Sequence, residues 1–158
     1  MDFSLTNEQQ MIIDTLKTFV EQELYPHEAE VEKTNEIRPE LYAQIKQKAL
    51  DLGLYAANMP EEHGGAGLDS LTLCLMEREL GRANFGLQYI VGRPSNILLA
   101  CKGDQIENYL HASIRGEKVD CLALTEPNAG SDVRSMQCRA ERDGDDFIIN
   151  GTKHFISH

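Results

Sequence analysis

Apolar residues recur at three-to-four spacing through the first two-thirds of the chain, which is the pattern of helices that bury one face. The first such stripe runs from Ile12 to Leu24. Thr6 and Gln9 have the T-x-x-Q spacing of a capping box, in which each side chain satisfies a free amide at the helix start. Pro26 predicts that this helix kinks or ends near Tyr25.

The same spacing predicts four further helices. The first lies at about 39–52, with Leu41, Ile45, Ala49 and Leu52 inward, and the second at about 70–80 behind an Asp69 cap, with Leu71, Leu75, Met76 and Leu80 inward. The third lies at 86–101; it is apolar almost all round and broken near Gly92 and Pro94. The fourth lies at about 104–115, with Ile106, Tyr109, Leu110 and Ile114 inward. Gly53 and Gly81 stand where two of these helices end. The glycine-rich residues 59–67 predict an irregular loop.

The pattern changes after Gly116. Residues 119–124, 136–143, 147–150 and 154–157 are short apolar or alternating runs separated by turn residues, which predicts strands. We therefore expect a mainly α protein with an all-α domain at 1–117 and the start of a β domain at 118–158. Because two or three strands rarely stand alone, we expect this chain to be a fragment of a longer protein.

Charge and composition exclude several classes of protein. The net charge of −11 argues against nucleic-acid binding, which needs a basic surface. Apolar runs stay below the ~18 residues of a membrane span, and the first ten residues lack the basic and apolar regions of a signal peptide. The four cysteines are widely spaced without a CxxC motif, which favours reduced thiols and a cytoplasmic location.

The loop after the first predicted strand is the most informative segment. Ala129 to Ser131 have small side chains, so their backbone N–H groups can approach a phosphate closely, and the Ser131 hydroxyl can donate to an anionic oxygen. The Thr125 hydroxyl can bond the edge of a planar heterocycle. From residue types alone, an Asx-type turn stabilised by Asn128 and Asp132 explains the same segment.

The segment Ala123–Ser135 resembles the flavin-contacting signature of acyl-CoA dehydrogenases, [GAC]-[LIVM]-[ST]-E-x-x-[GSAN]-G-[ST]-D-x-x-[GSA], at every specified position. Other parts of the chain resemble the same family in the same order. They are Leu5–Gln9, the Met59–Gly67 loop with its P-E-E-x-G-G-x-G pattern, Glu77–Gly81, Gly103–Gln105, and Asn150–Ser157, which is similar to the family's N-G-x-K-x-W-I-[ST] hairpin. The resemblance covers essentially the whole chain but only the N-terminal portion of such an enzyme.

The resemblance implies a helical domain followed by the first strands of an incomplete β-barrel domain, with FAD as cofactor. The implied flavin contacts are Leu122, Ala123, Leu124 and Thr125 along the isoalloxazine ring, Gly130 and Ser131 at the pyrophosphate, and Phe155, Ile156 and Ser157 in a second strip. Ser131 would also face the CoA side of the pocket. The family usually has Trp at the Phe155 position and often Thr at the Ser157 position. Phe155 keeps the flat apolar face but lacks the indole donor, and Ser157 keeps the hydroxyl.

The resemblance also implies that the full enzyme oxidises the Cα–Cβ bond of an acyl-CoA, passes electrons to an electron-transferring flavoprotein, and forms a homo-oligomer. The family's catalytic base lies in a C-terminal helical domain, so we assign no catalytic residue to this chain and expect it to be inactive alone. Acyl-CoA oxidases, nitroalkane oxidases and flavin monooxygenases resemble the same fold. A helical interaction module without a cofactor is the non-enzymatic alternative.

Four further residues have a structural and a functional interpretation. Arg93 lies in the predicted 86–101 helix, which lines the acyl pocket in the family. Arg93 either pairs with an acidic neighbour or selects a substrate with a polar tail. We expect Glu126 to bond local amides instead of acting as a base. His154 and His158 lie four residues apart in a predicted strand, ~13 Å, which is too far to share a metal.

Overall fold

The computed structural model describes residues 4–156. The chain divides into two compact units, residues 1–118 and 119–158. The expectation of a mainly helical chain with strands near its C-terminal end is confirmed. Within residues 4–156, no helix is both long enough and apolar enough to cross a membrane.

Six α-helices and two strands, numbered in chain order, form the framework of the described residues. They are α1 (Asn7–Phe19), α2 (Tyr25–Thr34), α3 (Pro39–Asp51), α4 (Ser70–Leu80), α5 (Phe85–Tyr89), α6 (Ala112–Ile114), β1 (Arg139–Asp143) and β2 (Asp146–Asn150). Two π-helical segments (Val20–Leu24 and Ile106–His111) and three 3-10 segments (Glu61–His63, Asn96–Ala100 and Val133–Ser135) lie between them.

The start of the first helix is confirmed in detail. The Gln9 amide donates to Thr6 Oγ1 at 3.1 Å, and the Thr6 amide donates to Gln9 Oε1 at 3.1 Å, which is the reciprocal pair of a capping box. The apolar stripe behind this cap is buried at four positions predicted for it: Ile13, Leu16, Val20 and Leu24.

The helical path does not end at Pro26. The segment Val20–Leu24 is π-helical, and the Tyr25 amide donates to the Val20 carbonyl five residues earlier. Pro26 then occupies the first turn of α2, where its missing N–H removes no helical hydrogen bond. The chain therefore changes its helix type before the proline and continues to Thr34.

The core of the first unit forms where the helices meet. α1 packs against α4, and the Gln9 amide group donates to Thr72 Oγ1 at 3.2 Å across this contact. Other buried positions come from α3, from residues 54–59 and from the end of the unit: Leu41, Ile45, Ala49, Leu54, Ala57, Met59, Leu110 and Ile114.

Two of the predicted inward leucines are exposed. Leu52 is 52% exposed because α3 ends at Asp51, one residue before it. Leu71 is 57% exposed, and the buried polar residues of α4 are Thr72 and Glu79. Both are paired: the Thr72 hydroxyl donates to the Asp69 carboxylate at 2.7 Å, and Arg78 donates to Glu79 at 2.8 Å. Paired polar groups can be buried at low cost. On α4, Met76 and Leu80 are buried as predicted, and the prediction fails at Leu71.

The predicted helix at 86–101 does not form as one element, whereas its predicted break near Gly92 and Pro94 is confirmed. The structure has the short α5, an irregular stretch, and the 3-10 segment Asn96–Ala100. The carbonyls of Gly92 and Pro94 accept hydrogen bonds from the Ala56 amide (3.2 Å) and the Asn58 side chain (2.8 Å). They therefore bond residues 56–58 instead of amides of the same helix. Apolar side chains of this stretch are divided between the core and the surface: Leu87, Ile90 and Val91 are buried, and Phe85, Tyr89, Ile97 and Leu99 are exposed.

The predicted helix at 104–115 forms mainly as a π-helix followed by α6. Leu110 and Ile114 are buried as predicted, whereas Tyr109 is 52% exposed. Hydrogen bonds that span five residues change which side chains share a face. The Tyr109 ring instead lies under the Lys118 ammonium, 4.9 Å from the ring centroid.

Among its described residues, 119–156, the second unit has one antiparallel hairpin. β1 pairs with β2 so that Arg139 faces Asn150 and Asp143 faces Asp146, with Gly144 at φ 64° in the two-residue turn. All ten strand residues are exposed. The strands predicted at 119–124 and 154–157 do not form within the described residues. Thr125 and His154 instead share a single backbone hydrogen bond of 2.8 Å.

Candidate functional site

The signature loop folds as two consecutive tight turns. Glu126 and Ala129 exchange backbone hydrogen bonds of 2.9 and 3.2 Å, which places Pro127 and Asn128 at the tip of the first turn. In the second turn, the Asp132 carboxylate accepts from the Arg134 amide at 3.2 Å and from the Ser135 hydroxyl at 2.5 Å. Asp132 therefore has the role that the turn interpretation gives it.

Gly130 and Ser131 lie between these two turns. Both are exposed. A Cβ atom added at Gly130 would have nothing within 4 Å, so the backbone here is open to an approaching group. This openness is what a phosphate needs to reach backbone N–H groups. The assignment of both residues to a pyrophosphate site stays a prediction.

The Glu126 side chain bonds the signature loop to residues 137, 138 and 153. Its Oε2 atom accepts from the Gln137 amide at 2.6 Å, and its Oε1 atom accepts from the Cys138 amide at 2.8 Å and from Lys153 Nζ at 2.9 Å. The Gln137 amide first and Lys153 second lower the pKa of Glu126 from 4.5 to about 2. The expectation that Glu126 bonds local amides is confirmed, and a carboxylate so weakly basic is unsuited to proton abstraction.

The first predicted flavin-contacting strip, residues 122–125, is bonded to Lys153 and His154, which precede the second strip. Lys153 Nζ donates to the Leu124 carbonyl at 2.9 Å as well as to Glu126, and the His154 amide donates to the Thr125 carbonyl at 2.8 Å. The strip at 122–125 is thereby tied to the residues that lead into Phe155. Sequence reasoning missed Lys153, although it is the lysine of the N-G-x-K pattern, which was the signal available.

Phe155 has the most unusual backbone in this region. Its φ is 58°, a left-handed conformation that is rare for a bulky residue, and its side chain is 90% exposed. Such conformations persist only where the surrounding structure fixes them, and they cluster at ligand sites. Leu122 is 75% exposed, so both strips present apolar side chains on the surface of this unit.

The other predicted flavin contacts vary in exposure. Ala123 and Leu124 are exposed, whereas Thr125 and Ile156 are half-buried. Ser157 lies outside the described residues. Exposed apolar surface, a hydroxyl at Thr125 and an open small-residue loop can hold a flat heterocycle with an anionic tail, and the role of these residues as flavin contacts stays a prediction.

Arg93 has an acidic partner within its own unit. Its Nε atom lies 2.8 Å from Glu77 Oε1, and the side chains of Arg93 and Glu77 are 42% and 46% exposed. This ion pair supports the structural interpretation of Arg93. Because both side chains are partly exposed, the guanidinium also stays within reach of a ligand. Its assignment to substrate binding is not tested by this contact.

Two histidines of the first unit, His63 and His111, form a small polar chain with Glu107. His63 Nδ1 lies 3.3 Å from His111 Nε2, and His111 Nδ1 lies 2.8 Å from Glu107. Arg115 fixes that carboxylate at 2.9 Å. Among residues 4–156, no group of three or more His, Cys, Asp or Glu side chains is arranged to hold a metal ion.

Individual proteins similar to this chain are acyl-CoA-processing enzymes and a related reductase. The chain is 34% identical to "Probable acyl-CoA dehydrogenase YngJ" of Bacillus subtilis over 100% of its own length and 42% of that protein. It is 35% identical to the mitochondrial isovaleryl-CoA dehydrogenase of Pongo abelii (98% and 37%). It is 36% identical to the 3-(aryl)acrylate reductase of Clostridium sporogenes (96% and 41%). The chain thus spans about two-fifths of the length of these curated relatives.

Solved structures give the same picture. A glutaryl-coenzyme A dehydrogenase in complex with glutaryl-CoA has a TM-score of 0.84 and 28% identity, covering 99% of this chain and 40% of that one. An acyl-CoA dehydrogenase from Bacillus anthracis complexed with FAD has a TM-score of 0.78 and 29% identity, covering 97% and 27%. Residues 6–117 match the family model "Acyl-CoA dehydrogenase, N-terminal domain", and residues 121–158 match "Acyl-CoA dehydrogenase, middle domain". With nearly the whole chain matched, the protein belongs to the acyl-CoA dehydrogenase family.

Proposed function

We propose that this chain supplies part of the flavin site of an FAD-dependent acyl-CoA dehydrogenase, which oxidises the Cα–Cβ bond of an acyl-CoA thioester. One observation carries the proposal: Lys153 and the His154 amide bond the strip at 122–125 and so bring it next to the residues that lead into Phe155, where the family resemblance implies the second flavin strip. FAD, when bound, accepts the hydride that leaves the β-carbon. The residues present fit this cofactor, because apolar surface and an open small-residue loop lie on the same unit.

This chain's own residues bind and orient. Leu122 and Phe155 offer apolar surface to a planar ring, and the Thr125 hydroxyl bonds its polar edge. The Gly130 and Ser131 amides hold a phosphate, and the Ser131 hydroxyl faces the thioester side. Positioning of this kind is what the protein contributes to cofactor chemistry.

In this proposal, the catalytic base is not among the residues of this chain. Glu126, a carboxylate within the signature, accepts hydrogen bonds from two amides and a lysine, which favour its ionised form. The proposal therefore places proton abstraction outside these 158 residues, and the chain alone is expected to be inactive. The proposed longer protein is a cytoplasmic homo-oligomer that passes its electrons to an electron-transferring flavoprotein, as the family resemblance implies.

A second candidate is the reverse reaction. The similarity to a 3-(aryl)acrylate reductase is as strong as the similarity to the dehydrogenases, at 36% identity over 96% of this chain. The same flavin geometry serves both directions, since a hydride is exchanged with the same ring position. Reduction of an aryl acrylate by the pre-reduced protein, without turnover of saturated acyl-CoAs, would favour this candidate.

The test uses the longer protein that contains these residues. We expect it to retain FAD after desalting and to reduce a flavin-coupled dye with acyl-CoAs of at least one chain length. The 158-residue chain, assayed in parallel, is expected to give no turnover. A longer protein that lacks flavin refutes the proposal, and turnover by the 158-residue chain refutes the placement of the base.

A pair of serine variants tests the loop. Ser131→Ala in the longer protein is expected to weaken FAD or acyl-CoA binding by roughly 1–3 kcal/mol, because it removes a hydroxyl that faces an anion. Ser135→Ala is the matched control, since its hydroxyl donates to Asp132 within the same loop. Equal affinities in the Ser131 variant and the wild type would reduce the loop to a structural turn.

A further inference from the structure

Lys153, which follows the β1–β2 hairpin, lies where three separate segments of the second unit meet. Lys153 Nζ donates to the Leu124 carbonyl at 2.9 Å and to Glu126 Oε1 at 2.9 Å, and it lies 3.5 Å from Met136 Sδ. An ammonium group has three donors, so each donor has an acceptor. We propose that Lys153, fixed by Glu126, is a positioning residue that sets the geometry between the flavin strips 122–125 and 155–156; this inference rests on the proposed function.

Glu126 makes this lysine rigid. The Glu126 side chain is 6% exposed and the Lys153 side chain 21% exposed, so water competes weakly for either group. Both carboxylate oxygens also accept backbone amides at the start of the hairpin, from Gln137 and Cys138. The carboxylate cannot follow the lysine if the lysine moves, and the ammonium is therefore held against the Leu124 carbonyl.

The arrangement accounts for the backbone of Phe155. Lys153 and His154 are each bonded to the strip at 122–125, through Leu124 and Thr125 respectively. With both preceding residues fixed, the chain turns at Phe155, whose φ is 58°. A left-handed conformation is unfavourable for an aromatic residue and persists only under such constraint. Loss of the Lys153 contact would let Phe155 adopt an ordinary φ and turn its ring away.

The positioning role differs from a role in folding alone. A lysine that only stabilised the unit would change unfolding without changing the flavin. A lysine that sets the spacing of two flavin strips also changes the affinity for FAD and the environment of the ring. The experiment therefore compares flavin properties between folded proteins.

The variant Lys153→Met in the longer protein removes the ammonium and keeps an apolar chain of similar length. We expect FAD to bind on the order of tenfold more weakly, since the charge-assisted hydrogen bonds from Lys153 to the Leu124 carbonyl and to Glu126 are lost. We also expect a shifted visible flavin spectrum and midpoint potential. Glu126→Gln retains the lysine but loosens it, so a smaller change in the same direction is expected. Circular dichroism shows that each variant is folded.

Lys118→Met is the matched control. Lys118 Nζ also donates to a backbone carbonyl, that of Asn108 at 2.8 Å, but it joins no predicted flavin strip. FAD affinity and spectrum are expected to stay as in the wild type. A folded Lys153→Met protein with wild-type FAD affinity, spectrum and potential would overturn the inference while leaving the proposed function intact. A wild-type protein without flavin would instead refute the proposed function itself.

A readout without flavin tests the same contact in the 158-residue chain. In Lys153→Met, the His154 amide, which bonds Thr125 at 2.8 Å, is expected to exchange its hydrogen faster. Unchanged exchange at His154 and Phe155 would show that Lys153 does not hold the second strip, and would also overturn the inference.

Discussion

Gly65 tests the packing of the glycine-rich loop more sharply than any other position. A Cβ atom added there would lie 2.1 Å from the Met59 carbonyl oxygen and 2.5 Å from Met59 Cβ. Gly65 does not have a positive φ, unlike Gly64 at 92° and Gly67 at 61°. Space, and not backbone conformation, therefore requires glycine at this position.

The cost of Gly65→Ala follows from what must move. The Met59 oxygen has to retreat by about 1 Å, and forced backbone shifts of this kind cost about 1–3 kcal/mol. Met59 is fully buried, and its carbonyl accepts the Gly67 amide at 2.8 Å. Loss of that bond adds about 1 kcal/mol. We expect the free energy of unfolding to fall by about 2–4 kcal/mol.

The control is Gly103→Ala in the same unit. Gly103 has φ 54° and nothing within 4 Å of an added Cβ, so alanine there has only the cost of a left-handed backbone, about 1 kcal/mol. Urea unfolding of the 158-residue chain, followed by far-ultraviolet circular dichroism, gives both values. If Gly65→Ala destabilises the chain no more than Gly103→Ala, the close approach of residues 59 and 65 is wrong.

Three further predictions concern side chains. The pKa of Glu126 is lowered from 4.5 to about 2 in the folded chain, so its ionised form stabilises the fold above pH 4.5. This stabilisation is lost as the pH falls toward 2. The difference in melting temperature between wild type and Glu126→Gln should therefore shrink over that range. Asp69→Ala should cost about 1 kcal/mol in urea unfolding, since Asp69 accepts the first amides of α4, whereas Asp69→Asn should retain most of the stability. Arg93→Met should cost less than about 1 kcal/mol, because its pair with Glu77 is half exposed. In the longer protein the same variant should lower kcat/KM for polar-tailed acyl-CoAs selectively, and a uniform loss would leave Arg93 as a structural residue.

Local signals were sufficient where they act within one turn of helix or one hairpin. The capping box at Thr6, the Asp69 cap and the hairpin turn at Gly144 depend on residues two to four apart, and the structure has all three. The expectation that Glu126 bonds nearby amides also holds, although its partners, Gln137 and Cys138, lie further along the chain, beyond the signature loop.

The errors arose where a distant segment competes for the backbone. The stretch 86–101 is apolar enough for a helix, but residues 56 and 58 bond the carbonyls of Gly92 and Pro94 and hold them out of one. Thr72, one of the two buried polar residues of α4, also accepts a hydrogen bond from Gln9 of α1, some sixty residues away. The contact of Lys153 with Leu124 joins residues 29 apart, and no periodicity encodes it.

The exposed hairpin has a consequence for handling the protein. Phe147 and Ile149 project from one face of β2 and Ile148 from the other, and they are 63%, 71% and 51% exposed. β1 carries charged side chains that discourage intermolecular strand pairing, whereas β2 offers an apolar run beside an open edge, which is a template for aggregation. We expect the 158-residue chain to aggregate through this strand as its concentration rises. A lysine in place of Ile149 should act as a gatekeeper and raise the yield of soluble protein without touching the helical unit.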